Sequence, residues 1–534
     1  MRYTAVAAAA GALALALATS ATAQNVVSFD LSRGIPGIRG GPPPTAPLSK
    51  RDFHAGPINN NITGGGYYVD VLVGTPGQKV TMVLDTGSSD AWFISYQADL
   101  CTSRSLQRTY GDTCGPTYNP SKSSTYALKV RNGFNITYLD GSDASGSYIT
   151  DDLQINGVTI KSLQMGLATQ VVRGVGVLGV GFPENEAAVV KYPNIIDELA
   201  NQGFINSKAF SLYLNDRRAT TGTLLFGGID KSKFIGPLHT LPILKQPTGY
   251  THYGVVMSSL STTYSNGTKV PVSSTLAGAI LDSGTTLSYL PDDIATPLFE
   301  ELGVYTDYQT SGYSMIDCEY LNSEPDLVVT FGFGNGQASG GNQFTISVPV
   351  TELVLDLLGG YSRITAGAPF DNVCLFGIQS SGGGFGGSAG TNETVDVTLL
   401  GDTFLRSAYV VYDLDHHQVG MAQANLNATG DSDITELTSA GSELPSVTGV
   451  SAQQTSSTRE ATTTTTGTRT SGTTSPTGSE TSSGGDGAQN TGSSSPSPSG
   501  NAAASLKGGG GTGAFAVAAV AGLFSALGGV LFML

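Results

Sequence analysis

Between about residues 52 and 430, apolar and polar positions alternate in short runs. YYVDVLVG (67–74), KVTMVLD (79–85), NGFNITYLDGS (132–142) and TGTLLFGGI (221–229) are rich in Val, Ile, Thr and Tyr, and Gly, Asn and Pro bound them. A period of two sends successive side chains to opposite faces of a strand, so these runs predict β-strands. Two stretches read as short helices: Asn194–Gln202, where IIDELANQG ends in Gly203, and Asp292–Leu302. The class is all-β with minor helices. A folded region of this length suits two lobes rather than one simple core, and the expected division is 52–235 and 236–430.

Both ends break the pattern. Residues 1–23, MRYTAVAAAAGALALALATSATA, carry an early Arg2, a long Ala/Leu run and a small-x-small ending. This reads as a secretory signal peptide cut before Gln24; a membrane anchor fits less well, because the run is Ala-rich and lacks a basic flank. Residues 24–51 read as a propeptide. Lys50-Arg51 closes a Pro/Gly-rich stretch, and in a secreted chain such a pair suits a processing protease, giving a mature start near Asp52. From 431 to 501 the chain turns to Ser, Thr, Gly and Pro, too poor in apolar surface to offset the entropy of ordering, and reads as a disordered O-glycosylated stalk.

Residues 513–534 carry no charge, and a spacer, Ala504–Thr512, and small residues, Asn501-Ala502-Ala503, precede them. That pattern predicts a glycosylphosphatidylinositol (GPI) anchor signal, with 502–534 removed and Asn501, or a small neighbour such as Gly500, lipidated. A spanning helix is the alternative. The expected location is the outer face of the plasma membrane and the cell wall.

Charge narrows the partners. The chain has formal net charge −16, and only 13% of its residues are charged. No basic patch exists to neutralise phosphates, which argues against nucleic acid. The acidic balance suits an acidic setting. Four cysteines in a secreted chain imply disulfides with three possible pairings; the sequence-local one, Cys101–Cys114 and Cys318–Cys374, is favoured. No CxxC or HExxH exists, and His416-His417 would face apart on a strand, so no metal is expected. Asn61, Asn135, Asn266, Asn392 and Asn427 begin N-x-[ST] sequons.

The chemistry lies in a duplicated motif. VLDTGSSDAWF (83–93) is matched by ILDSGTTLSYL (280–290), which places Asp85 and Asp282 after apolar residues and before hydroxyl, Gly, hydroxyl. Each has an aromatic seven residues on, Trp92 and Tyr289, and each is later followed by an apolar-apolar-Gly, Val177-Leu178-Gly179 and Leu399-Leu400-Gly401. One such triplet is weak; two embedded alike mark an internal repeat of half the molecule. Two carboxylates brought together by a pseudo-twofold share one proton. The ionised one can take a proton from water while the protonated one donates to a carbonyl oxygen: general acid–base hydrolysis without a covalent intermediate. Gly87 and Gly284 let the turns approach. Ser88 and Thr285 can hydrogen-bond the carboxylates, and Thr86 and Ser283 can tie one turn to the other.

With these motifs, ITYLDGSDASG, GVLGVGF, LLFGGID and LLGDTFLRSAYVVYDLDHHQVGMA, the chain resembles the pepsin-like aspartic proteases of the fungal secreted type, over about residues 64–425. With its anchor signal it resembles the GPI-anchored yapsin and candidapepsin relatives. The resemblance implies a bilobal β fold with a cleft between lobes, no cofactor, a monomer, and proteolysis of polypeptides at acidic pH. It makes Asp85 and Asp282 the catalytic pair, Tyr138 the tyrosine of a hairpin flap at 138–145 that includes Gly141, and Trp92 the partner of that tyrosine. Large apolar residues are expected before the scissile bond. Asp140, two beyond the flap tyrosine, either pairs with a basic substrate side chain there or sits on a solvated turn. Leu139 departs from the glycine usual after this tyrosine, and the 101–114 loop, with Arg104, Arg108 and Asp112, lacks the acidic insertions of some yapsins. A glycosidase also uses two carboxylates but leaves the duplicated turns unexplained. An inactive wall protein would not need Asp85, Asp282, Ser88 and Thr285 intact.

Overall fold

The computed structural model describes residues 25–33, 66–219, 221–308, 312–322, 327–334, 343–356, 368–382, 398–429, 431–438 and 443–453. The signal peptide, Lys50-Arg51, Asn61, Asn392, Asn501 and the anchor signal lie outside the described residues.

The fold is all-β with few helices. One sheet orders thirteen strands as 234–242, 418–424, 408–413, 209–213, 221–226, 27–33, 67–73, 78–85, 176–179, 91–94, 158–171, 143–155 and 127–137. A second orders 344–349, 328–333, 254–263, 277–281, 398–400, 288–290 and 378–380, with 269–273 beside 254–263. The period-two pattern is visible in burial: along Tyr67–Val73, Asp70 and Leu72 are exposed and the rest buried. The strand expected across 132–142 ends at Thr137, and 138–142 form the hairpin turn. Helices Ile195–Asn201 and Asp292–Leu302 stand where expected, the first capped by Asn194 through a capping box with Asp197.

The repeat is topological as well as local. Strand Gln78–Asp85 pairs antiparallel with Tyr67–Val73 and parallel with Gly176–Gly179, Asp85 facing Gly179. Strand Ala277–Leu281 pairs antiparallel with Gly254–Thr263 and parallel with Thr398–Leu400, Leu281 facing Leu400. Each half thus ends a buried strand at the same kind of turn.

Two expectations are corrected, and the structure adds detail to two more. Segment 431–453 is not all stalk: Ile434–Glu436 pairs with Gly228–Asp230, Val450 bridges to Ile235, and Leu437 and Leu444 are buried against the cluster of Phe234 and Tyr409. These scattered leucines cover an apolar face that sequence periodicity does not reveal. His416-His417 lies on the turn between strands 408–413 and 418–424, not on a strand. Its reason is backbone geometry: His417 takes a left-handed φ of 54° and stacks on Tyr250, while His416 Nδ1 lies 2.7 Å from Asp413 Oδ2. Within the segment expected as propeptide, Val27–Arg33 is a strand between 221–226 and 67–73, with Phe29 and Leu31 buried. The expected lobe boundary at 235/236 falls inside strand Phe234–Pro242.

Both favoured disulfides form, Cys101–Cys114 and Cys318–Cys374. The first closes a loop carrying short helices Asp99–Thr102 and Arg104–Tyr110.

Candidate active site

Asp85 and Asp282 meet where the two matching turns face each other. Their approach depends on glycine: a Cβ on Gly87 would sit 2.6 Å from Asp282 Oδ1, and one on Gly284 2.3 Å from Asp85 Oδ1. No side chain fits either position. The same two residues orient the acids, Gly87 N–H donating to Asp85 Oδ1 and Gly284 N–H to Asp282 Oδ1, both at 2.8 Å. Ser88 Oγ donates to Asp85 Oδ2, and Thr285 Oγ1 donates to Asp282 Oδ2 at 2.7 Å. Across the junction Thr86 Oγ1 donates to Leu281 O (2.9 Å) and accepts from Ser283 N–H (2.9 Å). Ser283 Oγ donates to Leu84 O (3.0 Å) and accepts from Thr86 N–H (3.2 Å). Four hydrogen bonds therefore sew the turns together in twofold fashion.

Both carboxylates are buried. Burial, and then the neighbouring Asp282 carboxylate, hold the Asp85 carboxyl well above the ordinary carboxylate range. The pair retains a proton that separate exposed acids would lose.

The hairpin of strands 127–137 and 143–155 brings Tyr138 close to Asp85 and Ser88. Its turn closes with Tyr138 N–H to Ser142 O (2.8 Å) and Gly141 N–H to Tyr138 O (3.0 Å). Trp92 Nε1 donates to the Tyr138 hydroxyl at 2.7 Å. Burial and the Asp85 charge raise the Tyr138 pKa, so the phenol stays neutral. Leu139 is 46% exposed at the tip. Asp140 lies on the hairpin turn, but its side chain is only 22% exposed and its carboxylate is paired with Arg173. Among the sequons, Asn135, Asn266 and Asn427 are exposed.

Several neighbours were not singled out in the sequence. Buried Asp90 accepts from the Tyr148 and Tyr192 hydroxyls, both at 2.8 Å, and from Ala187 N–H at 2.6 Å, which fixes the strand carrying Trp92. Its only sequence signal is an acid directly before the apolar AWFI. Asn185 Nδ2 donates to Gly87 O at 3.1 Å and lies 3.4 Å from His252 Nε2, linking the first turn to the second half. Fully buried Arg406, four residues after Asp402, donates from Nε to Glu352 Oε2 at 2.6 Å.

Comparison with known proteins agrees with this arrangement. The eukaryotic aspartyl protease family profile matches residues 66–424. The probable aspartic-type endopeptidase opsB of Aspergillus fumigatus is 37% identical over 442 residues, covering 81% of this chain and 82% of its own. Candidapepsin of Candida tropicalis is 33% identical, covering 69% of this chain and 81% of its own. Aspartic proteinase from Irpex lacteus, at 22% identity, shares the fold with a TM-score of 0.51 over 75% of this chain and 97% of its own. On these matches, and with the two acid turns paired as they are, the chain belongs to the eukaryotic aspartyl protease family and is an aspartic-type endopeptidase.

Proposed function

We propose that Asp85 and Asp282 are the catalytic pair and that they hydrolyse peptide bonds at acidic pH. The observation that carries this is the reciprocal seating of each carboxylate on the other turn's glycine. Such a pair holds a single proton. The ionised carboxylate takes a proton from the attacking water as the protonated one donates to the peptide carbonyl oxygen. The tetrahedral species then collapses, the C–N bond breaks, and the amine leaves with a proton from the dyad. Tyr138 and its hairpin close over the substrate, with Trp92 holding the phenol. The cluster of Trp92, Ile136, Ala188 and Tyr192 against which Tyr138 packs supports large apolar residues before the scissile bond. Basic residues are second choice while Asp140 is occupied.

The test is cleavage of a denatured protein at acidic pH with and without pepstatin. Inhibitable cleavage that disappears in Asp85→Asn and in Asp282→Asn, by at least ~10²-fold, is the expected result. Substantial turnover in either variant contradicts the assignment.

We further propose that the enzyme is secreted, matured after Lys50-Arg51, and held at the cell surface by a lipid on Asn501. The Ala/Leu run of 1–23 and the stalk, spacer and uncharged tail support this reading. Phospholipase release from membranes and an N-terminus at Asp52 are expected. Retention through a peptide that still includes Leu534, or full activity with Gln24 first, contradicts it.

A further inference from the structure

The flap tip does not stand alone. The turn 172–175, which joins strands 158–171 and 176–179, carries Arg173 to it. Arg173 Nη2 pairs with Asp140 Oδ2, the two side chains being 18% and 22% exposed. The other oxygen, Asp140 Oδ1, accepts from Ser142 N–H at 2.9 Å and from Ser142 Oγ at 2.6 Å. Both carboxylate oxygens are therefore engaged, one within the tip and one by the cation beneath it.

Arg173 is itself fixed. Gly174 N–H donates to Asp112 Oδ2 (2.7 Å), Gly115 N–H to Gly174 O (2.7 Å), and Val171 N–H to Asp99 Oδ1 (3.1 Å). A Cβ on Gly174 would meet Thr113 O at 1.9 Å, so this turn is pressed against the Cys101–Cys114 loop. Burial pulls the Arg173 pKa down, and the Asp112 carboxylate offsets part of that. A chain of contacts runs from the disulfide loop through Arg173 to the tip, two residues beyond Tyr138.

We propose that Arg173 is a positioning and specificity-determining residue: it latches the flap tip to the disulfide loop and withholds the Asp140 carboxylate from substrate. This rests on the reading of Asp85 and Asp282 as the catalytic pair beneath a flap at 138–142. A free carboxylate at the tip would meet side chains flanking the scissile bond and favour cationic ones. Paired with Arg173, it presents no net charge, and the site favours neutral, apolar residues. Removing Arg173 uncovers the acid and loosens the tip; removing Asp140 uncovers a cation instead.

The experiment measures kcat and KM on matched peptides in which Leu, Lys or Glu flanks the scissile bond. In Arg173→Gln the Lys-to-Leu ratio of kcat/KM should rise about tenfold, the gain of one charge-assisted contact. KM for the Leu peptide should rise more than kcat changes. Arg173→Lys should restore the wild-type ratio, and Arg173→Gln with Asp140→Asn should lose the gain for Lys. Asp140→Asn alone, which does not depend on the fold tolerating loss of Arg173, should raise the Glu-to-Leu ratio. An unchanged Lys-to-Leu ratio in an active Arg173→Gln enzyme overturns the proposal, as does an unchanged Glu-to-Leu ratio in Asp140→Asn. Either leaves the catalytic reading standing. Wild-type enzyme that cleaves none of the peptides, or cleaves them despite pepstatin, overturns both.

Discussion

Thr86→Val tests the junction on which the active site depends. The substitution keeps the volume and removes the hydroxyl, which donates to Leu281 O and accepts from Ser283 N–H, each at 2.9 Å. Thr86 and Ser283 are each 1% exposed, so water cannot replace the lost partner. Two buried backbone groups are then left without hydrogen bonds, at about 1–3 kcal/mol each, and the total lies near 2–4 kcal/mol after local relaxation. In a chain of this size that lowers Tm by roughly 1–2 °C per kcal/mol. The two lost bonds join the turns carrying Asp85 and Asp282, so the dyad spacing loosens too, and kcat should fall by about 10²-fold with a smaller change in KM. Thr86→Ser, which keeps the hydroxyl, should recover most of both losses. The matching change Ser283→Ala breaks bonds to Leu84 O and Thr86 N–H, and the double variant should cost less than the sum of the singles because both act on one network. The measurements are calorimetric or fluorescence melting and peptide hydrolysis. A Thr86→Val enzyme with wild-type Tm and kcat would refute the reasoning.

Other outcomes follow from the same structure. Trp92→Phe removes the indole donor to the Tyr138 hydroxyl, 2.7 Å away, and should lower kcat/KM by about tenfold with little loss of fold; unchanged kinetics would show that Tyr138 needs no such anchor. Burial pushes the Glu186 carboxyl up to about 9 and the Asp402 carboxyl well above its ordinary range. Both bind their proton more tightly folded than unfolded, so the stability they contribute is full below the ordinary carboxylate range. It declines as pH rises toward the folded values, by up to about 1.4 kcal/mol per pH unit and group. Melting should therefore give a higher Tm near about pH 5 than near about pH 8, and a steady rise across that window contradicts the assignment of these buried acids. Ending the chain at residue 430 removes the strand Ile434–Glu436 and buried Leu437 and Leu444, at about 1.5–3 kcal/mol for each leucine; it should melt well below a chain ending at 453, and equal Tm values would show the tail to be unpacked.

Sequence alone determined what is local or repeated. The two D-hydroxyl-Gly turns, their apolar lead-in strands and the later apolar-apolar-Gly runs are short segments whose residue types follow from their own backbone geometry, and their duplication implied the pairing. The helix Ile195–Asn201 carries its start signal in Asn194 and Asp197, and the alternation of 67–73 announces which side faces inward. Tertiary structure decided what depends on partners distant in the chain. Asp140 reads equally well as a substrate ligand or a solvated turn until the turn 172–175 brings Arg173 against it. Asp90 is one more acid in the sequence until the fold delivers the hydroxyls of Tyr148 and Tyr192, 58 and 102 residues away. The tail past 430 has no periodicity because its few leucines cover an existing face rather than build an element of their own. Such contacts have no period and no fixed spacing. Their energy comes from desolvated charge and buried area that exist only once the sheets have assembled.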